Sequence, residues 1–325
     1  MDRPGPGPLL IGVEIGGTKL QVGLGRGDGR LIALDRQTIR PEDRAGAILR
    51  QIAGAAPRLL ARPEAAGEGP MAVGIGFGGP VEADRGLVVR SYQVAGWEGF
   101  DLAGWARGTF QTPLVAVHND ADTAGLGEAR FGAGVGHSPV FYVTIGSGIG
   151  GGLILDGRIY RGAGAGAAEI GHLLIDDDRD TPTILEDVAS GWAIGRAARA
   201  LLGTGPGPGP LEDLSGGDPA RVDAALVARA ADRGDARALA VLDRAARAMG
   251  RALAHVVTLL GPGRIILGGG VSLIGEALWF DPIRATLGSR AFPPFRGTYD
   301  VVPAALGEEV VVRGALALAD DLIRP

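Results

Sequence analysis

The sequence predicts an α/β fold made of two similar halves, each opening on a glycine-rich β-hairpin. The apolar segment 9–24 is interrupted by Gly16-Gly17, which predicts two strands joined by a tight turn. The segment 140–160 repeats this pattern around the glycine turn 146–152. Because one strand, turn and strand pattern occurs twice, it indicates a duplicated α/β lobe rather than one long sheet.

Hydrophobic periodicity divides the rest of the chain into strands and helices. Apolar runs predict further strands at 31–38, 72–77, 114–117 and 264–267. Helical spacing predicts helices at 44–60, 102–110, 222–233, 236–260 and 311–323. One more helix is expected to run from Asp120 to about Phe131, because a carboxylate at its start accepts the free N–H groups of the first turn. The Gly/Pro alternation at 204–210 predicts a surface loop.

Chain length sets the expected number of domains. At 325 residues the chain can bury a large core, and this length favours about two domains. We expect an N-terminal lobe over 1–115, with the terminal helix 311–325 packed on it. A larger C-terminal lobe with helical insertions is expected over 116–310.

Composition excludes several classes of protein. A hydrophobic fraction of 46% with 21% charged residues is typical of a globular chain, and a net charge of −5 gives no general attraction to nucleic acids or anionic membranes. The absence of cysteine excludes disulfides, thiolate zinc sites and a cysteine nucleophile. No segment approaches the roughly 18 to 20 apolar residues of a membrane span. We therefore expect a cytoplasmic protein with small-molecule partners, without nucleic acid or membrane binding.

Two residue types occur only once, and both lie in chemically suggestive segments. Lys19 is the only lysine and ends the segment 14–19, which carries a carboxylate at Glu14. Asn119 is the only asparagine and stands with Asp120 where a strand gives way to a helix. Chance could also have left these two residues in such segments. The glycine turns make chance a weaker explanation.

Two glycine-rich segments match a dinucleotide-binding motif in their residues but not in their structural context. Segments 74–79 and 146–151 both fit GxGxxG, but that motif requires a strand, a loop and then a helix, and neither segment leads into a helix. A dehydrogenase is therefore disfavoured. Turns without side chains do let backbone N–H groups reach phosphate oxygens. Any one turn is explained by a tight hairpin, but the two hairpin turns at 16–17 and 146–152 together with the turn 268–270 favour a nucleotide site.

A set of motifs along the chain resembles the ROK (repressor, ORF, kinase) family of sugar kinases. The motifs are Glu14-Ile-Gly-Gly-Thr-Lys19, Gly76-Phe-Gly-Gly-Pro-Val81, Gly96-Trp97, Asn119-Asp120, Gly146-Ser-Gly-Ile-Gly-Gly-Gly152, Glu169-Ile-Gly-His172, Leu185-Glu186, Ala189-Ser-Gly191 and Ile266-Leu-Gly-Gly-Gly-Val271. The resemblance implies the actin-like ATPase (ribonuclease H-like) fold, with a cleft between two lobes. It also implies phosphorylation of a hexose or amino sugar by ATP with Mg²⁺, in a homodimer or homotetramer.

The resemblance assigns roles to individual residues. Asp120 would be the general base that takes the proton of the attacking sugar hydroxyl, a role compatible with capping a helix. Glu14 would act on the Mg²⁺ shell through a water. The implied sugar contacts are Gly79, Gln93, Asn119, Asp120, Glu169, His172 and Glu186. The implied nucleotide contacts are Glu14, Gly16, Gly17, Thr18, Lys19, Thr144, Gly146, Gly148, Gly269 and Gly270.

The chain departs from the family pattern at three places. Most members hold a zinc through a histidine at the position of His172 and a cysteine cluster, whereas this chain has the acidic segment 175–184, so no structural zinc is expected. That segment could bind a hard cation, but a solvated loop is favoured. Gln93 replaces a usual asparagine, which lengthens the side chain by one methylene. Asp122 also replaces a common asparagine and is expected to point away from Asp120.

The main alternative is a sugar sensor without catalytic activity. Repressors of this family carry an N-terminal helix-turn-helix domain, and only about ten residues precede the first predicted strand here, which disfavours DNA binding. Retention of Asp120 and of the glycine turns favours the kinase over a silent binding protein.

Overall fold

The computed structural model describes residues 7–40, 42–65, 67–163, 166–175, 183–204 and 207–324. The strands are β1 (Leu10–Ile15), β2 (Lys19–Gly25), β3 (Leu31–Thr38), β4 (Ala72–Phe77), β5 (Val81–Glu82), β6 (Leu87–Val88), β7 (Phe100–Asp101), β8 (Leu114–Asn119), β9 (Val140–Ile145), β10 (Ile149–Leu155), β11 (Arg158–Ile159), β12 (Leu174–Ile175), β13 (Thr183–Ile184), β14 (Arg264–Gly268) and β15 (Asp300–Pro303). The helices are α1 (Ala45–Leu60), α2 (Leu102–Phe110), α3 (Asp120–Phe131), α4 (Glu186–Ala189), α5 (Gly191–Arg199), α6 (Pro210–Ser215), α7 (Ala224–Asp232), α8 (Ala236–Leu260), α9 (Asp281–Arg290) and α10 (Val310–Asp321).

Two five-stranded sheets share one topology. Their strand orders are β3-β2-β1-β4-β8 and β11-β10-β9-β14-β15. In the first sheet β1, β2 and β3 form an antiparallel meander, while β4 and β8 continue parallel to β1. In the second sheet β11 pairs antiparallel with β10, and β14 and β15 continue parallel to β9. The duplicated α/β architecture predicted from the two glycine hairpins is therefore confirmed.

The chain divides into two compact units. The first unit contains Met1–Ser138, Gly152–Ala167 and Ala305–Pro325. The second unit contains Pro139–Gly151 and Ala168–Ala304. The bounds of these units are not those of the lobes expected over 1–115 and 116–310, and the expected lobes stay a prediction.

Alternation of side chains along β1 decides what each face of the first sheet packs against. Ile11, Val13 and Ile15 are buried in the cluster that includes residues of α1 and α2. Leu10 lies on the opposite face and packs with Leu316 of α10. Since successive side chains of a strand point to opposite faces, Glu14 shares the α10 face. This placement brings a carboxylate to the start of the terminal helix.

The second unit is organised around the long helix α8. The strands β9 and β14 are almost wholly buried, and α8 contacts α4, α7 and α9. Asp235 caps α8 by accepting from the N–H groups of Arg237 and Ala238, and Gly261 in the left-handed conformation ends it. None of the helices in the described ranges is long and apolar enough to span a membrane.

Several element boundaries differ from the predicted ones. The cap of α3 is Asn119, whose amide oxygen accepts two N–H groups, and Asp120 is the first helical residue. The returning strand predicted up to Tyr160 is divided by a turn at Asp156-Gly157, where φ is 50° and 72°. The helices α4, α5, α6 and α9 and the edge strand β15 were not predicted; α4, α6 and β15 have only four to six residues, and α9 is weakly periodic.

Candidate functional site

The first glycine turn, Gly16–Thr18, is tied to two neighbouring segments. The Gly16 N–H donates to the Lys19 carbonyl at 2.9 Å and closes the hairpin. The Gly78 N–H donates to the carbonyl of Ile15 at 2.8 Å. The turn and the segment that follows β4 are therefore held side by side within the first unit.

Glu14 is buried beside this turn and bound by two donors. The Lys19 ammonium lies 3.2 Å from its Oε1, and the Gln21 amide donates to its Oε2 at 2.9 Å. Both donors also reach the backbone carbonyl of Glu308, at 3.2 and 2.8 Å. Lys19 thus anchors Glu14 to the segment before α10, and its predicted contact with nucleotide stays a prediction.

The ionisation of Glu14 is shifted strongly. Burial raises the pKa of Glu14 to about 7, although the ion pair with Lys19 opposes this change. The charges of Asp120 and Glu308 raise the pKa further. The carboxyl groups of Glu14 and Asp120 are therefore close enough to interact.

The raised pKa makes the effect of Glu14→Gln on stability depend on pH. Between the ordinary value of 4.5 and about 7, the folded protein holds a proton on Glu14 that the unfolded chain has released. The stability that this protonation gives is present below the ordinary pKa and is lost as pH rises through 7. We compare the melting temperature of Glu14→Gln with that of the parent at two pH values. We expect the variant minus parent difference to be more positive at pH 8.5 than at pH 5.0. Equal differences at both pH values would contradict the shift.

Asp120 lies next to the glycine turn of the same unit. A Cβ built on Gly78 would lie 3.4 Å from Asp120 Oδ2 and 3.4 Å from Gly16 Cα. The other oxygen of the carboxylate, Oδ1, accepts from the Ala121 N–H at 2.9 Å. The strand-to-helix junction therefore directs a carboxylate oxygen towards the turn that was predicted to bind phosphate.

Asn119 has a structural task in this position. Its Oδ1 accepts from the N–H groups of Ala121 and Asp122, at 2.8 and 3.3 Å. Its Nδ2 donates to the carbonyl of Gly79 at 3.2 Å. Asn119 thus joins the start of α3 to a backbone predicted to contact sugar, and its own sugar contact stays a prediction.

Gln93 reaches the same turn from the loop between β6 and β7. Its amide oxygen fills the space that a Cβ on Gly17 would occupy. The loop is held by the Ser91 hydroxyl, which accepts from the Val94 N–H at 3.1 Å. A residue predicted to bind sugar therefore lies directly against a residue predicted to bind phosphate.

A cavity of about 330 Å³ is lined by Asn119 and by residues to which the sequence analysis gave no ligand contact. His118 and the buried Asp122 line it. Burial, aided by the nearby charge of Arg161, lowers the pKa of His118 to about 4, so the imidazole is neutral at physiological pH. Arg161 forms an ion pair with Asp84. The cavity is polar and its charges are largely paired.

The second unit holds its own glycine turn between β9 and β10. The Gly146 N–H donates to the Gly148 carbonyl at 2.9 Å, and the Gly146 carbonyl accepts from the Gly191 N–H at 2.8 Å. Glu186 Oε2 accepts from the Ile149 N–H at 2.7 Å. A residue predicted to bind sugar thus supports the turn predicted to bind nucleotide.

The remaining predicted nucleotide residues of the second unit stand at the ends of adjacent strands. Thr144 of β9 is paired in register with Gly268 of β14. Gly269 follows with φ of 83°, and a Cβ there would come within 2.6 Å of the Ile145 backbone nitrogen. Only glycine suits that close approach, and Gly270 then begins a short 3₁₀ turn.

In the second unit, the charges of His172 and Glu186 both act on Glu169. A 3₁₀ turn over Ile170–His172 follows Glu169. Burial raises the pKa of Glu169; the charge of His172 opposes the rise and that of Glu186 adds to it. Residues 176–182 of the acidic segment lie outside the described part of the chain. In the part that is described, no three His, Asp or Glu side chains are grouped to hold a metal.

The structure also shows which supporting residues were missed. Gln21 lies opposite Glu14 in the register of the first hairpin, so counting pairs back from the glycine turn could have found it. Glu308 is 287 residues away from Gln21 along the chain, and no local pattern signals its contact. The site residues fall into one group in each unit.

Comparison with known proteins gives one consistent family. The ROK family model matches residues 10–322. A glucokinase of Thermotoga maritima is 34% identical over 320 residues, covering 97% of this chain and 98% of the relative. A kanosamine kinase of Amycolatopsis mediterranei is 30% identical over 324 residues, covering 96% of each chain.

The solved structures agree with the sequence comparisons. The ROK glucokinase of Streptomyces griseus, crystallised with glucose and AMPPNP, superposes with a TM-score of 0.80 at 33% identity. The match covers 96% of this chain and 99% of that one. The predicted actin-like ATPase fold and the predicted family are thereby confirmed, and the chain belongs to the ROK family.

Proposed function

We propose that this chain is an ATP-dependent sugar kinase that phosphorylates a hydroxyl of a hexose or an amino sugar, with Asp120 as general base. The kinase class follows from relatives that are named as glucokinases and a kanosamine kinase and that match along nearly their whole length. The observation that carries the role of Asp120 is its position beside Gly16 and Gly78. A base must lie next to the place where phosphate and hydroxyl meet.

The chemistry asked of Asp120 is modest. As the sugar oxygen attacks the γ-phosphorus, its proton passes to the carboxylate while the bond from phosphorus to the bridging oxygen of ADP breaks. Phosphoryl transfer needs mostly positioning and charge neutralisation, and the base adds a smaller factor. Asp120 is suited to this because its Oδ1 is fixed by the Ala121 N–H.

The carboxylates of the first unit suit a hydrated magnesium ion. Mg²⁺ usually keeps several waters and takes only one or two protein carboxylates in addition to substrate phosphates. Glu14 and Asp120 are near enough for their charges to interact, and both lie by the glycine turn. We assign Glu14 to the metal's water shell, where Mg²⁺ would neutralise phosphate charge.

The second unit supplies the other proposed contacts. Glu169, His172 and Glu186 would bind sugar hydroxyls, since they form one polar group. The proposed nucleotide contacts are Thr144, Gly146, Gly148, Gly269 and Gly270, which stand at strand ends and turns that expose backbone N–H groups. Gly17, Thr18 and Lys19 complete the phosphate contacts on the first unit. A homodimer or homotetramer in the cytoplasm is part of the same proposal.

Release of ADP tests the proposal. The purified protein is incubated with ATP and Mg²⁺ and a panel of hexoses, hexosamines and N-acetylhexosamines, and ADP is measured for each sugar. We expect at least one sugar to increase ADP release far above the sugar-free rate. Calorimetry on the same panel identifies the alternative, because a sugar sensor would bind a sugar without any turnover.

A further inference from the structure

The Gln93 side chain covers the glycine that the nucleotide phosphates are proposed to approach. Its amide oxygen occupies the space above Gly17 that a side chain would otherwise take. Gln93 is exposed, and no hydrogen bond of its amide is seen within the described residues. The contact therefore places the polar end of an exposed side chain over Gly17.

The amide oxygen of Gln93 resembles an oxygen of the phosphate group that is proposed to contact this turn. A glycine turn accepts phosphate because no Cβ keeps the oxygen atoms away from the backbone. The carbonyl oxygen of Gln93 is also a hydrogen-bond acceptor, and it uses the same opening. A phosphate group that approached Gly17 from this side would meet the Gln93 amide, so nucleotide binding there would require Gln93 to move.

Asp120 lies close to the place that Gln93 covers. Asp120 Oδ2 and the Cα of Gly16, which precedes Gly17, each lie 3.4 Å from the position of a Cβ on Gly78. A sugar held for attack by Asp120 would therefore present its hydroxyl groups near the Gln93 amide. A hydroxyl can accept from the amide NH₂ or donate to its carbonyl, and either bond would draw the side chain away from Gly17.

We propose that Gln93 is a positioning residue that couples sugar binding to nucleotide binding. Without sugar, its amide covers Gly17 and weakens phosphate binding; with sugar, the amide turns to a sugar hydroxyl and uncovers the turn. This inference rests on the proposed sugar kinase function. Because coupling between two ligands is reciprocal, nucleotide would strengthen sugar binding by the same factor.

The length of the side chain is what allows this coupling. Asparagine keeps the amide but is one methylene shorter, so Gln93→Asn is expected to leave Gly17 uncovered whether sugar is present or not. The coupling also gives a benefit, because a phosphate site that opens only with sugar bound limits the transfer of phosphate to water. Loss of the coupling should therefore raise ATP hydrolysis in the absence of sugar.

Calorimetric titration with AMPPNP in the presence of Mg²⁺ tests the inference. In the absence of sugar, Gln93→Asn is expected to bind AMPPNP about fivefold more tightly than the parent. Saturating glucose should tighten AMPPNP binding by the parent about fivefold and leave the variant within about twofold. The control is Gln111→Asn, the same chemical change at an exposed position with φ of 53°, where asparagine is well tolerated.

Two outcomes would overturn the inference. One is equal AMPPNP affinity of the parent and Gln93→Asn without sugar, which needs no knowledge of the sugar substrate. The other is tighter binding by the variant that is matched by Gln111→Asn. Gln93→Ala must behave as Gln93→Asn does, since both uncover Gly17. Failure of the kinase proposal is seen separately, as absence of sugar-dependent ADP release by the parent protein.

Discussion

The Asp120→Asn variant is expected to lose roughly 10³-fold in kcat for sugar phosphorylation. Asparagine is nearly the same size as aspartate, and its amide oxygen can still accept from the Ala121 N–H, as Asp120 Oδ1 does at 2.9 Å. The helix start therefore remains intact, while the group that would accept the hydroxyl proton is gone. The loss should appear in kcat, with KM for ATP and for the sugar changed by only a few-fold.

A neighbouring carboxylate provides the control for this variant. Asp122 is two residues further along α3, is buried, and lines the cavity beside His118. Asp122→Asn removes the same charge from the same helix, and we expect kcat within about fivefold of the parent because the residue is not proposed to touch substrate. Steady-state ADP release measures both variants. An Asp120→Asn enzyme with kcat within tenfold of the parent would remove the base from the mechanism.

The fold could be predicted wherever its signal is local. The two glycine hairpins are local features, because strand periodicity and the need for small turn residues are visible within about fifteen residues. Because the two hairpins repeat one pattern, the duplicated architecture could be predicted as well. By contrast, β15 lies at the edge of its sheet and has only four residues, so only pairing with β14 reveals it.

The cap of α3 shows a second limit. Asn119 and Asp120 are both good capping residues, and a sequence cannot say which of two adjacent polar residues takes the non-helical conformation. The structure places Asn119 at the cap, with φ of −60° and ψ of 149°. This one-residue difference frees Asp120 to direct one oxygen towards the glycine turn.

The candidate site was predictable as motifs but not as contacts. The motifs gave Glu14 and Lys19 as neighbours in sequence, and the structure pairs them at 3.2 Å. Gln93 lies 76 positions after Gly17 in the chain, and its contact with Gly17 depends on a loop conformation that no periodicity encodes. Residues joined by long-range contacts of irregular segments therefore have to be read from the structure.

Glu128 is the clearest such case, because it is a fully buried carboxylate with three backbone partners. Its Oε2 accepts from the Ala133 N–H at 2.7 Å. Its Oε1 accepts from the N–H groups of Ala305 and Leu306, at 2.9 and 2.8 Å. The residue is 0% exposed, and it fastens the end of α3 to the segment that leads into α10.

Glu128→Ala is expected to lower the free energy of unfolding by about 3 to 5 kcal/mol, because it leaves three N–H groups without their acceptor and opens a cavity. The melting temperature should fall by roughly 10 °C, measured by differential scanning calorimetry. Amide hydrogen exchange should also accelerate at Ala133, Ala305 and Leu306. Glu128→Gln keeps one carbonyl oxygen and should lose less stability than the alanine variant.

The matched control for Glu128 is Glu98→Ala, which removes the same side chain from an exposed position and should change stability by less than about 0.5 kcal/mol. If Glu128→Ala melts within 2 °C of the parent and the three amides exchange as before, the backbone is held by something other than this carboxylate. Since the partners lie 177 and 178 residues from Glu128, exchange that accelerates in both regions at once would show that a single side chain joins them.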